Sequence, residues 1–250
     1  MDQRKKDGPE TMIRSSASDA TGPQAAMAQR PGPVSGNIGF FSLPRKIRDN
    51  IYKEVLRVRH PIYLFQDGSP RVETFGPERP LRWLELLKVN RQTNTEASEV
   101  LFKVNHFTLL DERMPQDQLL KAFLTCIGPA NSASLSHLSI SFPTFEEGPS
   151  EDPKLRQDSR QRMKLLHDHC TNLETLEITF DVKNMRDLER ATEGDPQLIR
   201  GVISCFHSQL QLLPSLQNIV VRVTGPTPSP ATTDAMQSLD WAVLPAYGNQ

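Results

Sequence analysis

The chain has 250 residues and a formal net charge of −1, with 37% hydrophobic and 24% charged residues. That near-neutral balance gives no electrostatic ground for a nucleic-acid or membrane-surface partner, and no apolar run approaches the ~20 residues needed to span a bilayer. The N-terminus (MDQRKKDGPE) lacks the apolar stretch of a secretory leader, and three widely spaced cysteines make no disulfide framework. A reducing compartment, cytoplasm or nucleus, is expected.

Residues 1–38 are rich in Ser, Ala, Gly, Pro and Gln with almost no large apolar side chains, which predicts a disordered tail. The stretch FFSLPRKIRDNIYKEVL follows, from Phe40 to Leu56. Pro44 suits a first helical turn, where its missing N–H costs little, and Ser42 is available as a nearby cap. Ile47, Ile51, Val55 and Val58 recur at helical spacing and form one apolar stripe, with Arg45, Lys46, Arg48, Asp49, Lys53 and Glu54 mostly off it. Ile62 to Gly68 predicts a short strand, and the proline- and glycine-rich 69–80 a loop. Asn90 is placed to cap a helix whose buried face carries Ala97, Val100, Leu101 and Val104. Asn105 suits a left-handed closure of that helix, and His106–Leu110 reads as a strand.

Beyond residue 110 the chain alternates helix and strand. Leu119, Leu120, Phe123, Leu124 and Ile127 mark a helix stopped by Gly128-Pro129. A second carries Leu155, Met163, Leu166 and Cys170, and a third runs from Asp195-Pro196 through Ile199, Val202, Ile203 and Phe206. Each is followed by a strand of the same pattern: LSHLSISF (135–142), LETLEITF (173–180) and LQNIVVRV (216–223). Matching leucines lie 38 and 43 residues apart. Strands separated by helices imply parallel pairing through right-handed crossovers. The L-x-x-L-x-I strand resembles that of leucine-rich repeats, but the period exceeds their usual ~20–29 residues. Pro143, Asp181 and Thr224 also stand where the repeat's Asn or Cys belongs. An irregular α/β array is therefore expected, not a regular horseshoe. The Pro/Thr/Ser-rich segment after Gly225 predicts a mostly disordered tail. The Trp241, Val243, Leu244 and Tyr247 cluster near its end either docks back on the domain, stays idle, or serves as a short motif.

No phosphate loop, dinucleotide fingerprint, nucleophile elbow or His-Glu-x-x-His is present, so the reading is non-enzymatic and assigns no cofactor. His167, His169 and Cys170, with Cys205 and His207 in a later helix, are the nearest thing to paired metal ligands. They could meet only if neighbouring helices brought the two groups together. The plainer assignment makes Cys170 and Cys205 small core residues and the histidines partly exposed, with no metal ligand. His106 and His137 fall in strands and read as hydrogen-bonded structural residues.

The pair FFSLPRKIRDNIYKEVL and LLKVNRQTNTEASEVLFKVNHF (residues 86–107) resembles the F-box-like proteins numerous in filamentous fungi. The resemblance rests on Leu43-Pro44, Ile47-Arg48, Ile51-Tyr52, Leu86-Leu87, Arg91-Gln92, Glu96-Ala97 and Asn105 with Phe107, and covers roughly residues 40–110. Ile127 to Asn131 (IGPAN) before the Leu-x-x-Leu-x-Ile strand is similar to a segment that often follows in such proteins. Two departures stand out: a segment of about 30 residues separates the two elements, and Thr93 replaces the usual larger aliphatic residue after Arg-Gln.

The resemblance implies a helical module over residues 39–110 that packs on the Skp-type linker of a cullin–RING ubiquitin ligase. An irregular helix–strand array with a small parallel sheet, residues 111–224, would hold an unknown protein substrate, and 1–38 and most of 225–250 would be disordered. Leu43, Pro44, Ile47, Ile51 and Val55 are the candidate anchors for helix-in-groove docking. The alternative is a stand-alone interaction or scaffold protein that keeps this α/β fold without ligase binding. Its stripe would then pack against the Ala97–Val104 helix and the array.

Overall fold

The structure is a computed structural model that describes residues 39–67, 71–77, 82–110, 115–146 and 153–246. The expected tail at 1–38 lies outside the described residues. The first helix, α1 (Arg45–Leu56), follows a 3₁₀ turn at Phe40–Ser42 and leads to β1 (Ile62–Phe65). β2 (Glu73–Phe75) arises inside the expected loop, and a 3₁₀ segment, Trp83–Lys88, leads into α2 (Arg91–Val104). The remaining elements are β3 (His106–Leu109), α3 (Gln116–Ala133), β4 (His137–Ser141), α4 (Gln157–His169), β5 (Thr175–Phe180), α5 (Val182–Thr192), α6 (Pro196–Leu210), β6 (Asn218–Val223), α7 (Pro230–Gln237) and β7 (Ala242–Pro245).

Among the described residues seven strands form one sheet in the order β2-β1-β3-β4-β5-β6-β7, antiparallel only between β1 and β2. The pattern repeated in the sequence is the pattern stacked in space. Leu138 pairs with Leu176 and Leu176 with Ile219, while Ile140, Ile178, Val221 and Val243 form the next row. Because side chains alternate across a strand, a one-residue slip would turn these rows to the other face, so the repeat fixes the register. β1 and β3 pair into the same sheet as β4–β7, so no boundary falls at residue 110.

From β3 to β7 successive strands lie side by side in chain order, and the right-handed connections that such parallel strands take put the connecting helices on one face. That face holds the core. Phe107 stacks on Phe102 of α2 and meets Phe123 of α3. Phe142 packs edge-on against both Phe180 and Phe206, and Phe206 does the same with Trp241. Each such side chain fully buried is worth roughly 1.5–3 kcal/mol.

Local signals account for most element ends. Asn90 accepts from the Thr93 N–H and Asp195 from those of Gln197 and Leu198, both as N-caps. Asp181, standing where a leucine-rich repeat would carry Asn or Cys, instead forms a capping box with Asn184 that starts α5, a helix the sequence reading did not separate. At Gly128 the backbone turns left-handed (φ 78°) and breaks α3, yet one further turn continues through Pro129. The freed carbonyls of Gly128 and Ile127 are taken by the Ser132 hydroxyl and the Asn131 amide.

The expectation of a mostly disordered segment after Gly225 is corrected. Ser229 caps α7, and β7 pairs in parallel with β6 as the last strand. Trp241, only 3% exposed, explains it: the indole fills the space beside Phe206, and its N–H donates to His207 Nδ1 at 3.0 Å. Tyr247 lies outside the described residues.

Candidate functional site

The first candidate surface is α1. The helix buries Arg48, Tyr52 and Leu56, not the apolar stripe. The Arg48 guanidinium grips Glu96 of α2 at two points, Nε to Oε2 at 2.8 Å and Nη2 to Oε1 at 2.6 Å. The Tyr52 hydroxyl and the Gln92 amide donate to the same carboxylate at 3.1 and 2.9 Å. Arg48's hydrogen bonds, helped by those of Gln92 and Tyr52 against the opposing effect of burial, hold the Glu96 carboxyl well below the usual range, at about 2. A buried pair with both carboxylate oxygens satisfied locks the helix pair in one orientation.

Asn105 closes the arrangement, though not as expected. Its backbone is extended (φ −109°, ψ 152°) instead of left-handed. The side chain does the work, donating to the carbonyls of Leu56 and Leu101 and accepting from Val58 N–H at 2.7 Å. One buried amide thus satisfies orphan groups where both α1 and α2 end. Arg48, Tyr52, Glu96, Asn105 and Phe107 all carry the sequence resemblance and are buried, and Gln92, exposed itself, supports them through its bond to Glu96.

The consequence is that the other side of α1 faces outward. Ile47, Ile51 and Val55 are 44%, 39% and 44% exposed, Pro44 is exposed and Leu43 half-buried. The alternative, in which this stripe packs against α2 and the array, is not what the structure shows: Tyr52 and Leu56 occupy that position. Val58 lies past the end of α1 and leans on the core. Phe41, which the sequence reading did not single out, adds an exposed ring ahead of α1, 6.0 Å from the Arg48 guanidinium carbon.

The second candidate surface is the sheet face opposite the helices. His106 and His137 are register partners on β3 and β4, and their rings stack at 3.7 Å with a 7° tilt. Glu177 on β5, paired in register with Ser139, points to the same face. A donor atom from each of the three lies within 4.8 Å of those of the others. Arg222 of β6 donates from Nε to Glu177 Oε2 at 3.2 Å and from Nη1 to the Pro245 carbonyl at 3.3 Å.

Burial lowers the His106 pKa to about 3, with His137 and Arg222 adding to the effect. Burial and then Arg222 lower that of His137 to about 4. Both rings are neutral at physiological pH. The sequence held a signal for this cluster: HFTL and HLSI place a histidine at the same outward position of adjacent strands.

Among the described residues, this is the one group of three or more potential metal ligands. His167, His169 and Cys170 are not brought together with Cys205 and His207. The Cys205 thiol meets the Pro153 carbonyl, His207 accepts from Trp241, and Cys170 is buried with its thiol pushed up to about 12. No described helix is long and apolar enough to cross a membrane.

No protein-family model, curated protein or solved structure matches this chain. The F-box-like resemblance accordingly rests on the residues quoted for it.

Proposed function

We propose that this protein is a protein-interaction adaptor of F-box-like type, docking through α1 on a Skp-type linker of a ubiquitin ligase and presenting a protein substrate on the array behind it. The observation that carries the reading is the outward stripe of Ile47, Ile51 and Val55 on a helix whose inner face is held by Arg48, Tyr52 and Leu56. Three aliphatic side chains on successive turns of a rigid helix, with Leu43, Pro44 and Phe41 ahead of them, supply anchors for a hydrophobic groove. The arrangement is pre-formed, so little ordering entropy opposes docking.

The test is co-expression with a Skp-type linker and purification under mild conditions. Wild-type chain retains the linker, and the double variant Leu43→Asp, Ile51→Asp loses it while keeping its circular dichroism spectrum. Clean purification of the wild type without the linker refutes ligase docking and leaves a stand-alone interaction protein.

A further inference from the structure

We propose that His106, His137 and Glu177 form a binding site for one divalent transition-metal ion of the zinc class on the helix-free face of the sheet. The proposal is independent of linker docking, since it concerns β3, β4 and β5 and not α1.

Two imidazoles and a carboxylate make up the donor set of zinc sites that keep a coordination position open for water or a bound group. Such a set disfavours magnesium and calcium, which take oxygen ligands. Adjacent strands put the three side chains on one face, with all donor atoms within 4.8 Å of one another. Ligand atoms around a tetrahedral zinc stand roughly 3.3–3.6 Å apart, given bonds of about 2.0–2.2 Å. Rotation about the side-chain bonds has to close the difference.

Two further features favour a cation there. His137 Nε2 is buried and has no hydrogen-bond partner, which leaves a desolvated polar atom in one of the three residues. His106 Nε2 has a long 3.4 Å contact with the Thr108 hydroxyl, easily given up. The two rings stack face to face at 3.7 Å with a 7° tilt, so their lone pairs run nearly parallel, and one ring has to swing out of the stack for both to ligate a single ion.

Arg222 is the charged neighbour that opposes a cation. It also holds one oxygen of Glu177, as outer hydrogen-bonding partners of ligating carboxylates do. The opposed charges predict an exchangeable site, removable by chelators without unfolding the chain, in place of a structural zinc on which folding depends.

The test begins with full-length chain stripped by a chelator and titrated with Zn²⁺ and, for spectroscopy, Co²⁺. Expected are one equivalent bound, a rise in melting temperature, and the visible absorption of low-symmetry Co²⁺. His137→Ala and Glu177→Gln each weaken binding at least ~tenfold, whereas His169→Ala changes nothing. A measurement that needs no variant guards against misfolding: ring nitrogen NMR of the wild type during the Zn²⁺ titration. The His106 and His137 signals should shift, and those of the other four of six histidines should stay in place. No bound ion at tenfold excess metal, binding unchanged in His137→Ala, or shifts at His167 and His169 instead each overturn the assignment.

Discussion

Replacing Ile51 with aspartate distinguishes an outward stripe from a covered one. Ile51 is 39% exposed, so the substitution forfeits only part of an isoleucine's burial, and the new carboxylate reaches water. Taking the buried fraction of roughly 1.5–3 kcal/mol for a whole side chain, the cost is about 1–2 kcal/mol. Were the stripe covered, the same change would bury an unpaired charge and cost several kcal/mol more. The neighbouring residue supplies the internal standard. Tyr52 is fully buried, packs on Phe40 with ring centres 5.6 Å apart and donates to Glu96, so Tyr52→Ala should cost roughly 3–5 kcal/mol. Urea unfolding followed by circular dichroism measures both as midpoint shifts at constant slope. Ile51→Asp losing as much stability as Tyr52→Ala would refute an outward-facing stripe, and the docking proposal with it.

The Glu96 carboxyl is lowered from 4.5 to about 2 in the folded chain, so below pH 4.5 the unfolded chain binds the extra proton. Its contribution is complete above pH 4.5 and lost as pH falls through about 2. The urea midpoint of Glu96→Gln should fall less over that interval than the wild type's, and parallel curves would contradict the network. Asn105→Ala should cost about 2–3 kcal/mol, because it strips partners from the buried ends of α1 and α2; a loss below ~0.5 kcal/mol in the same urea assay would mean water replaces them. Thiol labelling with mass spectrometry should modify exposed Cys126 first and Cys170 only on unfolding, since burial holds the Cys170 thiol protonated. Rapid native labelling of Cys170 would contradict the packing of α4.

Much of the architecture was legible because its determinants are local or repeated. Asn90 and Asp195 announce helix starts by their own side chains, and the three L-x-x-[LI]-x-[IV] strands carry the alternation that sets their register. The parallel order followed from the helices between them. Less legible were elements whose stability comes from distant partners. β2 has no apolar alternation of its own and exists because β1 offers it an edge. α7 and β7 lie in a Pro/Thr/Ser-rich stretch, and Trp241 orders them by filling a space beside Phe206 and His207.

The same division holds for the two candidate surfaces. The sequence by itself determined that α1 is amphipathic and that Ile47, Ile51 and Val55 share a face, because helical spacing is a property of the chain. It could not determine which face points inward. A period of 3.6 marks Arg48, Tyr52 and Leu56 as a second stripe with a charged member, ordinarily the solvated side. Only Glu96, 48 residues away, makes that side the buried one by neutralising the guanidinium and accepting from the tyrosine. Likewise the sequence placed His106, His137 and Glu177 in strands, but parallel pairing alone puts donors from three separate segments within 4.8 Å of one another.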